Sequence, residues 1–118
     1  MKRDMDLIRD ILLMIEADSD VPPKTIKADM FLDLIDNPAV IALHLDLLND
    51  SGLVELRKMP NGKYEVKRIT YAGYEFLDNV RSAKVWRNVK ERLSAIGGAG
   101  FEVIKALAIE ETKKLLGF

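Results

Sequence analysis

The stretch from Asn37 to Leu56, NPAVIALHLDLLNDSGLVEL, constrains the fold more than any other part of the chain. Asn37 precedes Pro38, and this dipeptide favours a helix start because the residue before proline is held extended and proline suits the first helical position. Gly52 fits a left-handed helix stop. The stretch therefore predicts a helix to about Ser51 that leads directly into a strand. Its apolar row has helical spacing: Ile41, Leu45 and Leu48.

A β-hairpin is predicted immediately afterwards, with strands at residues 53–58 and 63–69 around the turn Met59-Pro60-Asn61-Gly62. Pro60 presets the turn, and Gly62 can take the positive φ that a bulged three-residue turn requires. In the register that we predict, opposite charges meet on one face, which favours the pairing. The predicted cross-strand neighbours are Leu56 with Val66, Arg57 with Glu65, and Glu55 with Lys67.

Helical patterns also occupy the two ends of the chain. Residues 25–34 are ambiguous, because they fit a short strand, a helical turn or one of each. In the last helix we expect Ile104, Leu107, Ala108 and Leu115 to face inward. The four further predicted helices are Asp4 to Ala17, Tyr71 to about Arg81 with Thr70 as its cap, residues 82–96, and Phe101 to Leu116.

The order helix, glycine stop, strand, turn, strand matches the second half of a winged helix-turn-helix. The run Ile69-Thr70-Tyr71-Ala72-Gly73, followed by Leu77, is similar to the strand-to-helix exit of many winged-helix regulators. Four segments resemble an uncharacterised bacterial and prophage family that is catalogued as domain of unknown function twenty-five thirteen. They are MKRDMDLIRDILLMIE, HLDLLNDSGLV, RITYAGYEFLDNVRSAKVWRNVKERL and FEVIKALAIEETKKLLG.

That resemblance implies a winged-helix-like fold, and it supplies neither an activity nor functional residues. We therefore predict an α+β protein in which a winged helix-turn-helix-like core covers residues 1–81. Residues 82–118 are predicted to form a C-terminal helical extension that packs on the same single domain.

Few side chains are suited to catalysis or metal binding. The chain contains no cysteine and one histidine, His44, which lies among leucines and is expected to be a structural residue because one imidazole makes no metal site. The run Asp18-Ser19-Asp20 begins like a calcium loop, but Pro23 and Asp29 stand where that loop needs glycine and glutamate. Gly97-Gly98-Ala99-Gly100 lacks the context of a phosphate cradle and is expected to be a linker. We expect no catalytic residue, no cofactor and no small-molecule substrate.

The net charge of −1 hides an uneven distribution. Residues 1–50 carry 5 basic and 11 acidic side chains, residues 51–70 carry 5 and 2, and residues 71–118 carry 8 and 6. The helix that begins at Pro38 contains no Lys or Arg, and Asp46 and Asp50 on its polar face would repel phosphates. Because Arg57 and Lys67 are occupied in the predicted register, Lys58, Lys63 and Arg68 would remain as unpaired hairpin charges.

Two roles stay open for this chain. In the first, it is a regulatory DNA-binding protein; the hairpin supplies charge, and small or amide side chains of the helix approach base edges. The predicted contacts are Lys58, Lys63, Arg68, Ala42 and Asn49.

In the second role, the winged helix is a protein-interaction or self-association module that does not bind DNA. The last helix then supplies the surface, with Ile109 and Leu116 on a face that otherwise holds charged residues, and with Phe118 beside them.

Acidic side chains interrupt the apolar part of the amino terminus, so it does not fit a signal peptide, and no apolar run reaches the roughly 18–20 residues of a membrane span. We expect a cytoplasmic protein with no membrane partner.

Overall fold

The computed structural model describes residues 2–18, 23–96 and 100–117. The chain divides into two compact units, Met1–Tyr74 and Glu75–Phe118. The described residues contain five helices and one three-stranded antiparallel sheet, which confirms the predicted α+β class. The helices are α1 (Met5–Ala17), α2 (Pro38–Asp50), α3 (Tyr71–Val80), α4 (Ala83–Ile96) and α5 (Phe101–Leu116), and the strands are β1 (Lys24–Lys27), β2 (Val54–Lys58) and β3 (Lys63–Ile69).

The first two helices begin at side-chain caps, of which the one at Asn37 was predicted. Asp4 accepts hydrogen bonds from the backbone N–H groups of Asp6 and Leu7 and thereby begins α1. Asn37 caps α2 in the same way, with Pro38 in the first helical turn. These caps satisfy N–H groups that have no partner inside the helix. The buried faces of the two helices consist of Leu7, Ile8, Ile11, Leu12 and Ile15 in α1, and Ile41, His44, Leu45 and Leu48 in α2.

The ambiguous segment before α2 contains one strand and one helical turn. β1 covers Lys24–Lys27, and a 3₁₀ turn follows at Ala28–Phe31. Ile26 and Phe31 are buried, so both short elements contribute to the core of the first unit. The strand order is β1-β3-β2, which places β3 at the centre of the sheet.

The hairpin matches the predicted register near its turn and departs from it farther away. Leu56 lies opposite Val66 and Arg57 opposite Glu65, as predicted, but the predicted Glu55–Lys67 pairing is wrong. Glu55 lies opposite Arg68, and Lys67 is an extra residue in β3. Such a bulge shifts the inward and outward alternation of a strand by one position. It lets Ile69 join Tyr64 and Val66 among the buried residues.

The turn of the hairpin has two residues in the left-handed region. Gly62 has φ 69°, as predicted, and Asn61 has φ 66°. Asparagine tolerates this region better than other residues with a Cβ. The Met59 N–H closes the turn by donating to the Lys63 carbonyl over 2.9 Å.

Thr70 joins the end of β3 to the start of α3. Its Oγ1 accepts from the Gly73 N–H at 3.0 Å, which confirms the predicted cap, and lies 3.1 Å from the Leu53 carbonyl oxygen. Gly73 packs against the same carbonyl, because a Cβ added there would lie 2.0 Å from the Leu53 oxygen. Close backbone approach therefore requires glycine at this position.

In the second unit, α4 and α5 pack together through apolar side chains and ion pairs. Val85, Trp86 and Val89 of α4 and Ile104 and Ala108 of α5 are buried. Leu115 was expected to face inward and is instead 45% exposed, because the buried side of the helix ends with Glu111. The predicted boundary between residues 81 and 82, and the packing of the extension on the core, stay predictions. No helix in the described ranges combines the length and apolar character needed to cross a bilayer.

Candidate nucleic-acid interface

The polar residues of α2 are bound to the hairpin. Lys58 Nζ lies 3.2 Å from Asp46 Oδ2, so the expectation that Lys58 is unpaired is wrong. The Asn49 side-chain oxygen accepts a 2.9 Å hydrogen bond from the Leu56 N–H. Leu56 adjoins the bulge, so this bond holds α2 against the irregular part of the sheet. Asp46 and Asn49 thus have internal partners.

The Lys58 ammonium has a raised pKa, above its ordinary value of 10.5. The largest cause is the hydrogen bond to Asp46, followed by the charge of Asp46 and then by that of Tyr64. Both members of the ion pair are substantially exposed to water, where such pairs contribute little to stability.

Two further ion pairs lie across β2 and β3. Arg68 Nη2 is 2.7 Å from Glu55 Oε1, and Arg57 Nε is 3.3 Å from Glu65 Oε1. The Arg57 pairing was predicted, whereas the expectation that Arg68 is unpaired is wrong. The bulge is the reason, because it moves Arg68 into the place opposite Glu55. Lys67 is left exposed, with no ion-pair partner among the residues that the structure describes.

Two lysines lie directly opposite each other where β1 pairs with β3. Lys27 of β1 is the antiparallel partner of Lys63 of β3. Within the described ranges neither has an ion pair. Like charges at directly opposed strand positions destabilise a sheet. Lys63 was a predicted contact, but Lys27 was not singled out from the sequence.

These side chains form one solvent-facing surface, here called the outer sheet face. Its neighbours on the opposite side of the sheet are buried: Ile26, Tyr64 and Val66. The surface holds four cations and two anions, and its only unpaired charges in the described chain are the two lysines. The outer sheet face consists of Thr25, Lys27, Glu55, Arg57, Lys63, Glu65 and Arg68.

The exposed surface of α2 and of the preceding turn has the opposite character. Asp33, Asp36 and Asp50 are exposed and have no ion pair in the part of the chain that is described. Ala42, a predicted base contact, is half-buried. The first unit therefore has exposed acidic side chains on α2 and in the turn before it, and unpaired lysines on its sheet.

His44 is fully buried in α2, and both of its ring nitrogens bond to backbone groups. Nε2 accepts the Asp4 N–H at 2.9 Å, so the ring proton is on Nδ1, which donates to the Val40 carbonyl at 2.8 Å. This arrangement confirms the prediction of a packed structural histidine. It ties the start of α1 to the middle of α2.

The residues proposed for self-association lie on α5. Ile109 is 38% exposed and Leu116 is 66% exposed. Phe118 lies outside the described residues. Trp86, the one tryptophan of the chain, is buried in α4 and adds no aromatic surface.

Comparison with known proteins gives a family and one informative relative. The sequence model of the family described as "Hypothetical protein (DUF2513)" matches residues 2–99. A Haemophilus influenzae protein described as "Uncharacterized protein" is 30% identical over 98 residues, which is 80% of each chain. No solved structure matches the chain. The family match ends before α5, although the sequence resemblance had included that segment.

Proposed function

The chain belongs to the DUF2513 family, whose description names no activity, and we propose that it is a non-enzymatic winged-helix protein that binds duplex DNA through its outer sheet face. The winged-helix assignment is supported by the order of elements in the first unit, which is helix, strand, helical turn, helix and hairpin. It is also supported by the sheet order β1-β3-β2, in which the first strand pairs with the second strand of the hairpin.

The opposed lysines Lys27 and Lys63 are the observation that carries this proposal. Two ammonium groups held at directly opposed positions repel each other in the free protein. A phosphate placed between them replaces that repulsion with two attractive contacts. Lysine is a common phosphate ligand, and neutralising phosphates releases counterions into solution. The repulsion within the sheet is therefore relieved by binding an anion.

The ion pairs beside these lysines extend the same surface. The arginine side chains of Arg57–Glu65 and Arg68–Glu55 remain more than half exposed. Exposed pairs of this kind are worth about 0–1 kcal/mol, so a phosphate oxygen competes with the carboxylate at low cost. Lys67 at the bulge adds a further exposed cation. A row of backbone phosphates would then meet positive groups along β3.

In this proposal α2 is not the reading helix. It contains no basic residue, Asp46 and Asn49 are bound to the hairpin, and Asp50 is exposed. Binding through the sheet keeps these acidic groups away from the phosphates. Because the proposed contacts are phosphate contacts, we expect affinity without strong sequence preference.

The test measures binding of a fluorescent duplex at several salt concentrations. We expect a steep loss of affinity as salt rises, and a slope reduced by about 2 in the Lys27→Gln/Lys63→Gln variant, one unit for each phosphate contact. The matched control is Lys84→Gln/Arg87→Gln, which removes two exposed cations from α4 and should leave the slope unchanged.

Replacing Asp50 separates sheet binding from helix insertion. Asp50→Asn should change the affinity less than about threefold, because this residue lies on α2 and not on the sheet. A larger gain would place α2 in the groove. Absence of binding at low salt, or an equal loss in the control variant, would reject the proposal.

A further inference from the structure

The last helix has two contrasting faces. Ile104, Ala108 and Glu111 lie on the side that is buried. The opposite side carries a continuous stripe whose positions are spaced alternately by four and three residues, the spacing with which one helix packs along another. The stripe consists of Glu102, Ala106, Ile109, Lys113 and Leu116.

This α5 stripe exposes large apolar side chains to solvent. Ile109 is 38% exposed and Leu116 is 66% exposed, with Ala106 exposed between Glu102 and Ile109. Large apolar side chains that are aligned along one face are typical of an interaction surface, whereas isolated ones are ordinary.

The charges of the stripe specify the direction of a second helix. Glu102 lies near the amino end and Lys113 near the carboxyl end, and neither has an ion pair in the described part of the chain. A parallel copy would place like charges together. An antiparallel copy places each Glu102 against the other copy's Lys113, and each Ala106 against the other copy's Ile109. The face is thus complementary to itself under a two-fold axis.

Lys105 and Glu110 flank the stripe on opposite sides. Within one chain Lys105 is 3.0 Å from Glu75, and Glu110 is 3.3 Å from Arg92. Both charges therefore have partners inside their own chain and do not decide the direction of the pair.

We propose that the α5 stripe binds a second copy of this chain in an antiparallel helix pair. Sixteen residues give a helix of about 24 Å. One such pair buries less than the roughly 1,200 Å² of a stable interface. The dimer is therefore weak, with a Kd above about 1 µM, and it forms in a concentration-dependent manner.

The experiment is sedimentation equilibrium of the full chain up to about 0.5 mM, a concentration well above the expected Kd. The wild-type chain should change from monomer to dimer as its concentration rises. Glu102→Lys and Lys113→Glu should each weaken association at least tenfold, because each dimer then contains two like-charge contacts.

Mixing the two variants provides the decisive test. In a pair made of one Glu102→Lys chain and one Lys113→Glu chain, both contacts again join opposite charges. The equimolar mixture should therefore dimerise like the wild type, although neither variant does so alone. A folding defect could not be restored by mixing, and circular dichroism of each variant checks its helix content.

Apolar substitutions give an independent measure of the same surface. Ile109→Lys should abolish dimerisation, whereas Val103→Lys should leave it unchanged, since Val103 is exposed on α5 outside the stripe. A wild-type chain that stays monomeric throughout the concentration range would overturn the proposal. Dimerisation of Glu102→Lys at wild-type strength, or a monomeric mixture, would overturn it equally.

Discussion

The helices and strands of the two units are held together by different kinds of contact. In the first unit, polar side chains bond to the backbone of another element. His44 binds the Asp4 N–H, Asn49 binds the Leu56 N–H, and Thr70 lies against the Leu53 carbonyl. Backbone groups are neutral and occupy fixed positions, so these bonds specify geometry and respond little to salt.

In the second unit, α4 and α5 are joined by bonds between side chains. The buried carboxylate of Glu111 lies 3.4 Å from Asn88 Nδ2, 3.4 Å from Arg92 Nη1 and 3.5 Å from Lys114 Nζ. These are long contacts, and the two cationic partners are substantially exposed to water. The first unit is therefore held by bonds to fixed backbone groups, whereas the packing of α5 depends on ionic conditions.

The largest expected effect comes from Gly73→Ala in the first unit. The new Cβ would lie 2.0 Å from the backbone oxygen of Leu53, which cannot move without disturbing the end of the sheet. We expect a loss of about 3 kcal/mol in the free energy of unfolding, measured by urea denaturation. Gly100→Ala is the control, because nothing lies within 4 Å of the added atom, and it should change stability by less than about 1 kcal/mol.

His44→Leu should have the second largest effect. Leucine fills similar space but leaves the Asp4 N–H without its acceptor, which disconnects the start of α1 from α2. We expect a loss of about 2 kcal/mol in the free energy of unfolding. Hydrogen exchange should show the earliest opening in the first turns of α1. Unchanged protection there would mean that the bond to Asp4 does not hold the helix.

A smaller effect is expected for Glu111→Gln in the second unit. Glutamine keeps an oxygen for Asn88 but loses the charge that attracts Arg92 and Lys114. We expect a loss of about 1 kcal/mol in the free energy of unfolding, since the cations are largely exposed. In the wild-type chain, about 1 M salt should lower the hydrogen-exchange protection of α5 more than that of α1. Equal sensitivity of the two helices would remove the contrast between the units.

The elements that the sequence predicted well are those whose signals are local. Asn37 and Pro38 begin α2 and Gly52 ends it, because caps and left-handed stops depend on a few adjacent residues. The bulge at Lys67 is different, since it depends on which residues the core must bury. One signal was present: Val66 and Ile69 are three residues apart, where an uninterrupted strand would place buried residues two apart.

The candidate site was only partly predictable for the same reason. Lys63 was singled out, but its neighbour Lys27 lies in the segment that fitted both strand and helix. Pairing between β1 and β3 joins residues far apart in sequence, so no local pattern indicates it. Asp46 and Lys58 are likewise brought together by the packing of α2 on the hairpin, which reversed the expectation that Lys58 is unpaired.

The smallest predicted effect concerns Lys58 at high pH. Its pKa in the folded chain is raised above the ordinary 10.5, first by the hydrogen bond to Asp46 and then by the charge of that residue. A raised folded-state pKa contributes stability that is complete below the unfolded value and disappears as pH rises through the folded value. Wild-type stability should therefore decline slightly above about pH 10.5 for this reason, in addition to the effects of other groups.

Removing the ammonium group isolates this contribution. The urea midpoint of Lys58→Gln should fall less steeply than that of the wild type when pH is raised from about 9.5 to about 12. Asp46→Asn should reduce the slope equally, because it removes the same partner from the other side. Lys67→Gln should retain the wild-type slope, since Lys67 has no ion-pair partner among the described residues. If Asp46→Asn keeps the full wild-type slope, the contact between α2 and the hairpin does not stabilise charged Lys58 in solution.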